Sequence, residues 1–145
     1  MSARRSRGTM RAHTFIERRR LYLYARTIVK RHYQRPLTLD IVAKALASSP
    51  RQLQRAYAQF GERTFREDLL ATRIAAAARL LSQPATMPVG EVARLVGYSQ
   101  PSHFARTFRS SHGVSPAAFR ADRQAARREA PQHASVPAGA GVLKH

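Results

Sequence analysis

The side chains whose type and spacing could do chemistry in this chain are hydrogen-bond donors rather than nucleophiles. Ser102, His103 and Arg106 have the spacing to share the outer surface of one helix, with Arg109 beside them. Phe104 and Phe108, one helical turn apart, would take the inner face. A helix of this build can be offered to the major groove of DNA. The pattern occurs twice, because Leu53-x-Arg55-x-Tyr57 echoes Phe104-x-Arg106-x-Phe108. Other chemistry has little to work with. There is no cysteine, and hence no disulfide framework, thiol metal site or cysteine nucleophile. Neither H-E-x-x-H nor G-x-S-x-G is present, the eight carboxylates form no evident metal cluster, and the histidines include no helical pair at metal-ligand spacing. The expectation is no catalytic residue, no metal and no cofactor, in a protein that is not an enzyme.

Two helix-turn-helix units must position those donors. In the second, Val89, Val92, Ala93 and Val96 recur at three- and four-residue steps, and Gly97 stops the helix at a sharp turn. Ser99 is the natural N-cap of the next helix, Gly113 closes it, and Ser115-Pro116 opens one more. In the first, Thr38 caps a helix with Leu39, Val42, Ala43 and Leu46 inward; Ser48-Ser49 makes the turn and Pro50 takes the first helical position. Ile41-Val42-Ala43 matches Glu91-Val92-Ala93, and an internal repeat is stronger evidence than either copy alone. Leu53, Tyr57, Phe104 and Phe108 are read as core rather than as base-stacking platforms.

Between the copies, Thr64-x-x-Glu67 is a capping box that opens a helix to about Leu81, with Phe65, Leu69, Arg73, Ile74, Ala77, Leu80 and Leu81 in helical register. Such a rod spans on the order of 27 Å, comparable with the ~34 Å between successive major-groove faces. Arg73 on it is read as the partner of a carboxylate inside the domain in preference to a DNA contact. Ahead of the first unit, Leu21, Tyr24, Ala25, Ile28, Val29 and His32 define an amphipathic helix from Phe15 to about Tyr33, ended by Pro36. The boundaries are therefore a basic disordered arm over 1–13, a first helix-turn-helix subdomain over 14–62, a linker helix over 63–82, a second subdomain over 83–128 and a disordered tail over 129–145.

The charge is extreme. Twenty-six Lys and Arg against eight Asp and Glu give +18 and a pI near 11.8, the footprint of a polyanion binder. Residues 1–35 carry eleven of those cations and one Glu. No apolar run approaches the ~18 residues of a membrane span, and no apolar segment before Phe15 makes a signal peptide, so the expectation is a cytoplasmic protein without membrane attachment.

In these motifs the chain resembles the AraC/XylS type of bacterial transcription regulator, over about residues 21 to 123. The second unit carries the more specific half through Val92-Ala93, Gly97-Tyr98-Ser99, Phe104-x-Arg106-x-Phe108-Arg109, Gly113 and Ser115-Pro116. The first matches through Leu39, Val42-Ala43, Leu53-Gln54-Arg55 and Tyr57, then Phe65, Leu69 and Arg73-Ile74 on the rod. The resemblance implies an all-α, seven-helix domain of two helix-turn-helix subdomains joined by a long central helix, each second helix entering a major groove. Carried over residue by residue, the reading positions are Arg51, Gln54 and Arg55 in the first unit and Pro101, Ser102, His103 and Arg106 in the second. Arg can take guanine and Gln adenine bidentately. Pro101 has no side-chain donor and Ala105 stands beside the readers, which implies thinner hydrogen-bond readout in the second unit. The glycine after the first recognition helix stands one place early, at Gly61.

The implied partners are double-stranded DNA and RNA polymerase, with no small-molecule ligand, acting as a monomer. No sensing domain is visible, which makes the chain similar to the short stand-alone members. The rival is an architectural or nonspecific nucleic-acid binder, since +18 gives affinity for any duplex by counterion release.

Overall fold

Seven helices make up the computed structural model, which describes residues 3–84 and 87–130, with side chains from residue 11 onward. They are α1 (Ala3–His32), α2 (Leu39–Ala45), α3 (Pro50–Phe60), α4 (Phe65–Leu81), α5 (Val89–Leu95), α6 (Pro101–His112) and α7 (Pro116–Glu129). No strand occurs among the described residues. None of their helices is long and apolar enough to cross a membrane.

The first helix departs from the sequence reading at its start. It begins at Ala3, where a disordered arm is expected over 1–13. Ala, Arg and Met are strong helix formers and Gly8 is the only breaker in this stretch, so a helix anchored further on can propagate back through it. The inner stripe holds at Leu21, Ala25, Ile28 and Val29 and fails at Tyr24. Ala25 and Val29 are fully buried, whereas Tyr24 is 59% exposed and Tyr22 turns in against Tyr57 and Phe60. The expected tail over 129–145 lies, beyond Ala130, outside the described residues.

Two cores share one helix. The first packs Ala25, Val29, Val42, Ala43, Leu53 and Tyr57 against Phe65 and Leu69 of α4. The second packs Val92, Ala93, Val96, Tyr98, Phe104, Phe108 and Phe119 against Ile74, Ala76, Ala77 and Leu81 of the same helix. α4 is thus a wall of both units and not a spacer between them. Its capping box is complete: Thr64 Oγ1 accepts from Glu67 N at 3.2 Å and Glu67 Oε2 accepts from Thr64 N at 2.9 Å.

The repeat holds at the level of backbone hydrogen bonds. After α2, Ser48 N donates to Ala43 O at 2.8 Å with Ala47 left-handed at φ 52°. After α5, Tyr98 N donates to Ala93 O at 2.9 Å with Gly97 at φ 102°. Both are six-to-one bonds around a left-handed residue, the Schellman way of ending a helix. The turns then differ by one residue. α3 follows its cap Ser49, whose hydroxyl accepts from Gln52 N, while α6 follows Gln100, which makes no side-chain cap bond. Ser99 is therefore not the N-cap that the sequence suggests. Pro101, like Pro50, takes the first helical position, which moves the cap to Gln100 and leaves Ser99 as the extra residue of the longer turn. Gly113 closes α6 with φ 77°, and Ser115 caps α7 by accepting from Ala118 N.

The two left-handed positions should respond oppositely to substitution. Ala47 is exposed, so Ala47→Gly relieves the ~1–2 kcal/mol left-handed penalty against a smaller entropic loss. A gain of about 0.5 kcal/mol is expected. Gly97→Ala acquires the same penalty, and its Cβ would stand 2.8 Å from both Arg73 Nε and Tyr33 O. A loss of more than about 2 kcal/mol in thermal unfolding is expected. Equal effects at the two sites would contradict the assigned turn geometry.

Candidate nucleic-acid interface

Each recognition helix turns its aromatic stripe inward and leaves a polar face free. On α3, Leu53, Ala56 and Tyr57 are buried, while Arg51, Gln54 and Arg55 are exposed. On α6, Phe104 and Phe108 are buried, while Pro101, Ser102, Arg106 and Arg109 are exposed. The side chains of Arg51, Gln54, Arg55, Ser102, Arg106 and Arg109 make no hydrogen bond or ion pair with other described residues, so their donors are available to a ligand.

Aligned on the first-position prolines, the two helices correspond residue by residue. Pro101 corresponds to Pro50, Ser102 to Arg51, Ala105 to Gln54, Arg106 to Arg55 and Arg109 to Ala58. Pro101 is thus the helix-opening residue of α6 and stands opposite Pro50, not opposite a reading arginine. His103 does not share the outer surface with Ser102 and Arg106. It is half-buried, with its ring edge-on to Tyr98 at 5.4 Å, and it faces the cleft between the units.

A buried polar cluster fixes α3 on its neighbours. Tyr57 Oη donates to Asp68 Oδ2 at 2.9 Å, and Arg26 Nε lies 3.4 Å from the same oxygen. Burial first, and then the Asp68 carboxylate, push the Tyr57 hydroxyl well above its ordinary pKa, so it remains a donor. Arg26 also donates to Tyr22 Oη at 3.2 Å, a bond that raises its already high pKa. One carboxylate therefore joins α1, α3 and α4. At the outer end of α3, Arg18 Nη1 donates to Gln59 Oε1 at 2.9 Å and Phe15 meets Phe60 edge-on at 5.0 Å. Within the second unit, Arg120 and Arg127 of α7 donate to the carbonyls of Met87 and Ser82 and so hold the link between α4 and α5.

Arg73 pairs with no carboxylate, contrary to the sequence reading. Its Nε donates to Tyr33 O at 2.7 Å and its Nη2 to Arg35 O at 2.8 Å. These carbonyls lie just past the C-terminus of α1, where the partial negative charge of a helix end draws a cation. Burial lowers the guanidinium's pKa and Tyr98, whose ring it approaches at 6.0 Å, works against that shift. No local signal in the sequence marks Asp68 or the true partners of Arg73, because each bond joins segments far apart in the chain.

The family model of a helix-turn-helix domain matches residues 42–122, more than half of the chain. The chain belongs to the AraC family. Of solved AraC-type structures, a transcriptional regulator from Chromobacterium violaceum is 26% identical and covers 71% of this chain and 91% of its own, at a TM-score of 0.66. The C-terminal domain of AraT, a response regulator from Geobacillus stearothermophilus, is 33% identical over 70% of this chain and 84% of that one, at a TM-score of 0.67. The DNA-binding domain of AdpA, a global transcriptional factor solved with a target DNA, is 27% identical over 72% of this chain and 94% of that one, also at 0.67. A curated relative, the uncharacterized HTH-type transcriptional regulator YpdC of Escherichia coli, is 32% identical over 93 residues, which is 64% of this chain. The chain spans only 32% of that relative's length.

In this AraC-family domain, α3 should lose its setting if the shared carboxylate is removed. Asp68→Ala strands the Tyr57 hydroxyl and should cost about 1–3 kcal/mol in chemical denaturation. Tyr57→Phe in the Asp68→Ala background should cost far less than in the wild type, since the hydroxyl has already lost its partner. Additive effects of the two substitutions would show that the hydrogen bond is not what couples them.

Proposed function

We propose that the chain is a sequence-specific DNA-binding regulator of transcription that reads two successive major-groove segments, one with α3 and one with α6. The observation that carries this reading is the duplicated unit itself. Arg55 and Arg106 take the same place on two helices, both exposed and, among the described residues, both without a hydrogen-bond or ion-pair partner. Two equivalent donors on two repeated supports suit a bipartite site. The AdpA domain solved with its target DNA supports the choice of ligand. The excess of 18 positive charges supplies the sequence-independent part of the affinity through counterion release.

Within this proposal Arg51, Gln54 and Arg55 read the first segment and Ser102 and Arg106 the second. Arg109 adds a cation that the first unit lacks at Ala58, and Pro101 lies at the entry of α6 without a hydrogen-bonding role. His103 acts from the cleft side. Contact with RNA polymerase, action as a monomer and a cytoplasmic location belong to the same proposal, supported by family membership. An architectural binder would share the charge but would have no use for paired, differentiated reading faces.

The readout is unequal, because Arg51 and Gln54 accompany Arg55 whereas Ser102 and Ala105 accompany Arg106. Arg55→Ala should cost roughly 1–3 kcal/mol on the preferred site and relax base preference in one half-site only. Arg106→Ala should also weaken binding, while base substitutions in its half-site are better tolerated, because shape and phosphate contacts supply more of the energy there. Single-base substitutions across both half-sites, titrated at fixed salt against wild type and both variants, check this. Equal affinity for unrelated DNA would establish the architectural alternative instead.

A further inference from the structure

Two clefts indent the surface, one beside α3 and one beside the start of α6, and one cation reaches both. Arg66, in the first turn of α4, lines a cleft of about 530 Å³ beside Gln54 and Ala58, and a second of about 340 Å³ beside Tyr98 and His103. Its side chain is exposed and has no hydrogen-bond or ion-pair partner among the described residues. Of the neighbouring charges, Glu62 and Arg63 line the first cleft with it. Glu67 is tied into the capping box and Arg73 into the carbonyls after α1. The cleft on the α6 side has no carboxylate in its lining, so a free guanidinium there meets no internal counter-charge.

From this placement we infer that Arg66 is a third DNA contact, made to the phosphodiester backbone where it passes between the two major-groove segments. The inference rests on the two-segment reading and adds a residue outside both recognition helices. Where α3 and α6 occupy successive major-groove faces, the intervening duplex turns its minor groove toward the protein, flanked by phosphates. An exposed arginine that reaches a cleft beside each reading helix is placed to meet that anionic stretch. It would position the duplex and carry no sequence information. Arg66 points to no base in particular, because the contact needs only charge and reach.

The test uses the full chain and a duplex carrying both half-sites. Arg66→Ala should weaken binding about tenfold at moderate salt and lower the slope of log affinity against log salt by about 1, as one lost phosphate contact does. Arg66→Lys should recover most of the loss. Neutral methylphosphonate linkages in the spacer should weaken the wild type to a similar degree and leave Arg66→Ala unaffected. Arg106→Ala, measured alongside, separates the two ways of failing. If Arg106→Ala weakens binding but Arg66→Ala retains wild-type affinity and salt slope, this inference is overturned and the two-segment reading stands. If Arg106→Ala binds as the wild type does, the two-segment reading itself falls, and this inference with it. A loss on Arg66→Ala that follows the spacer base pairs rather than its phosphates would also overturn it, by making Arg66 a base reader.

Discussion

The arrangement of this domain depends on one buried guanidinium. Arg73 sits on α4 where its packing passes from the first core, at Leu69, to the second, at Ile74. It ties that point to the chain leaving α1 through Tyr33 O and Arg35 O, and it lies against Gly97 and Tyr98 of the second unit. A hydrogen bond with a charged partner contributes about 1.5–3 kcal/mol, and stranded partners cost comparable amounts, so two such bonds at one junction are a substantial constraint. Gly97 belongs to the same constraint. The left-handed turn before α6 can sit against the guanidinium because this residue has no Cβ.

From that junction the reading surfaces follow. Each unit is too small for a large core of its own and completes it with half of α4. Movement of one recognition helix relative to the other would therefore require α4 to bend or the Arg73 contacts to break. Rigid coupling has a functional use, since a stiff two-part reader gains the second half-site as a nearly intramolecular event, provided the geometry permits both at once. The polar cluster of Arg26, Tyr57 and Asp68 performs the local version of this task for α3, and the α7 arginines do so for the link before α5.

Much of this was legible in the sequence because the signals are local. Hydrophobic period, the Thr64 capping box, the first-position prolines at 50 and 116 and the glycines at 97 and 113 each act within a turn or two of chain. The inward placing of Leu53, Tyr57, Phe104 and Phe108 followed from periodicity for the same reason. What escaped was long-range or competitive. A carboxylate inside the domain is the expected partner of Arg73, yet the carbonyls past the end of α1 serve instead. Ser99 has the chemistry of a cap, but Pro101 sets the helix start and passes the position to Gln100. His103 has the spacing to face outward, but Tyr98 draws its ring into the cleft. Tyr22 and Tyr24 lie on opposite sides of α1, and Tyr57 and Phe60, distant in the chain, are what meet Tyr22 on the inner side.

The central claim, that Arg73 fixes the spacing at which the two helices read DNA, is open to direct measurement. Wild type and Arg73→Met would be titrated at fixed salt against duplexes whose half-sites are moved apart or together one base pair at a time, with single half-site duplexes reporting on each unit alone. The wild type should show a sharp optimum in spacing. Arg73→Met should bind each single half-site about as well as the wild type does, while its advantage on the best-spaced duplex shrinks and the optimum broadens. The same sharp optimum, retained without the guanidinium, would show that the relation between the units is set elsewhere and would contradict the account.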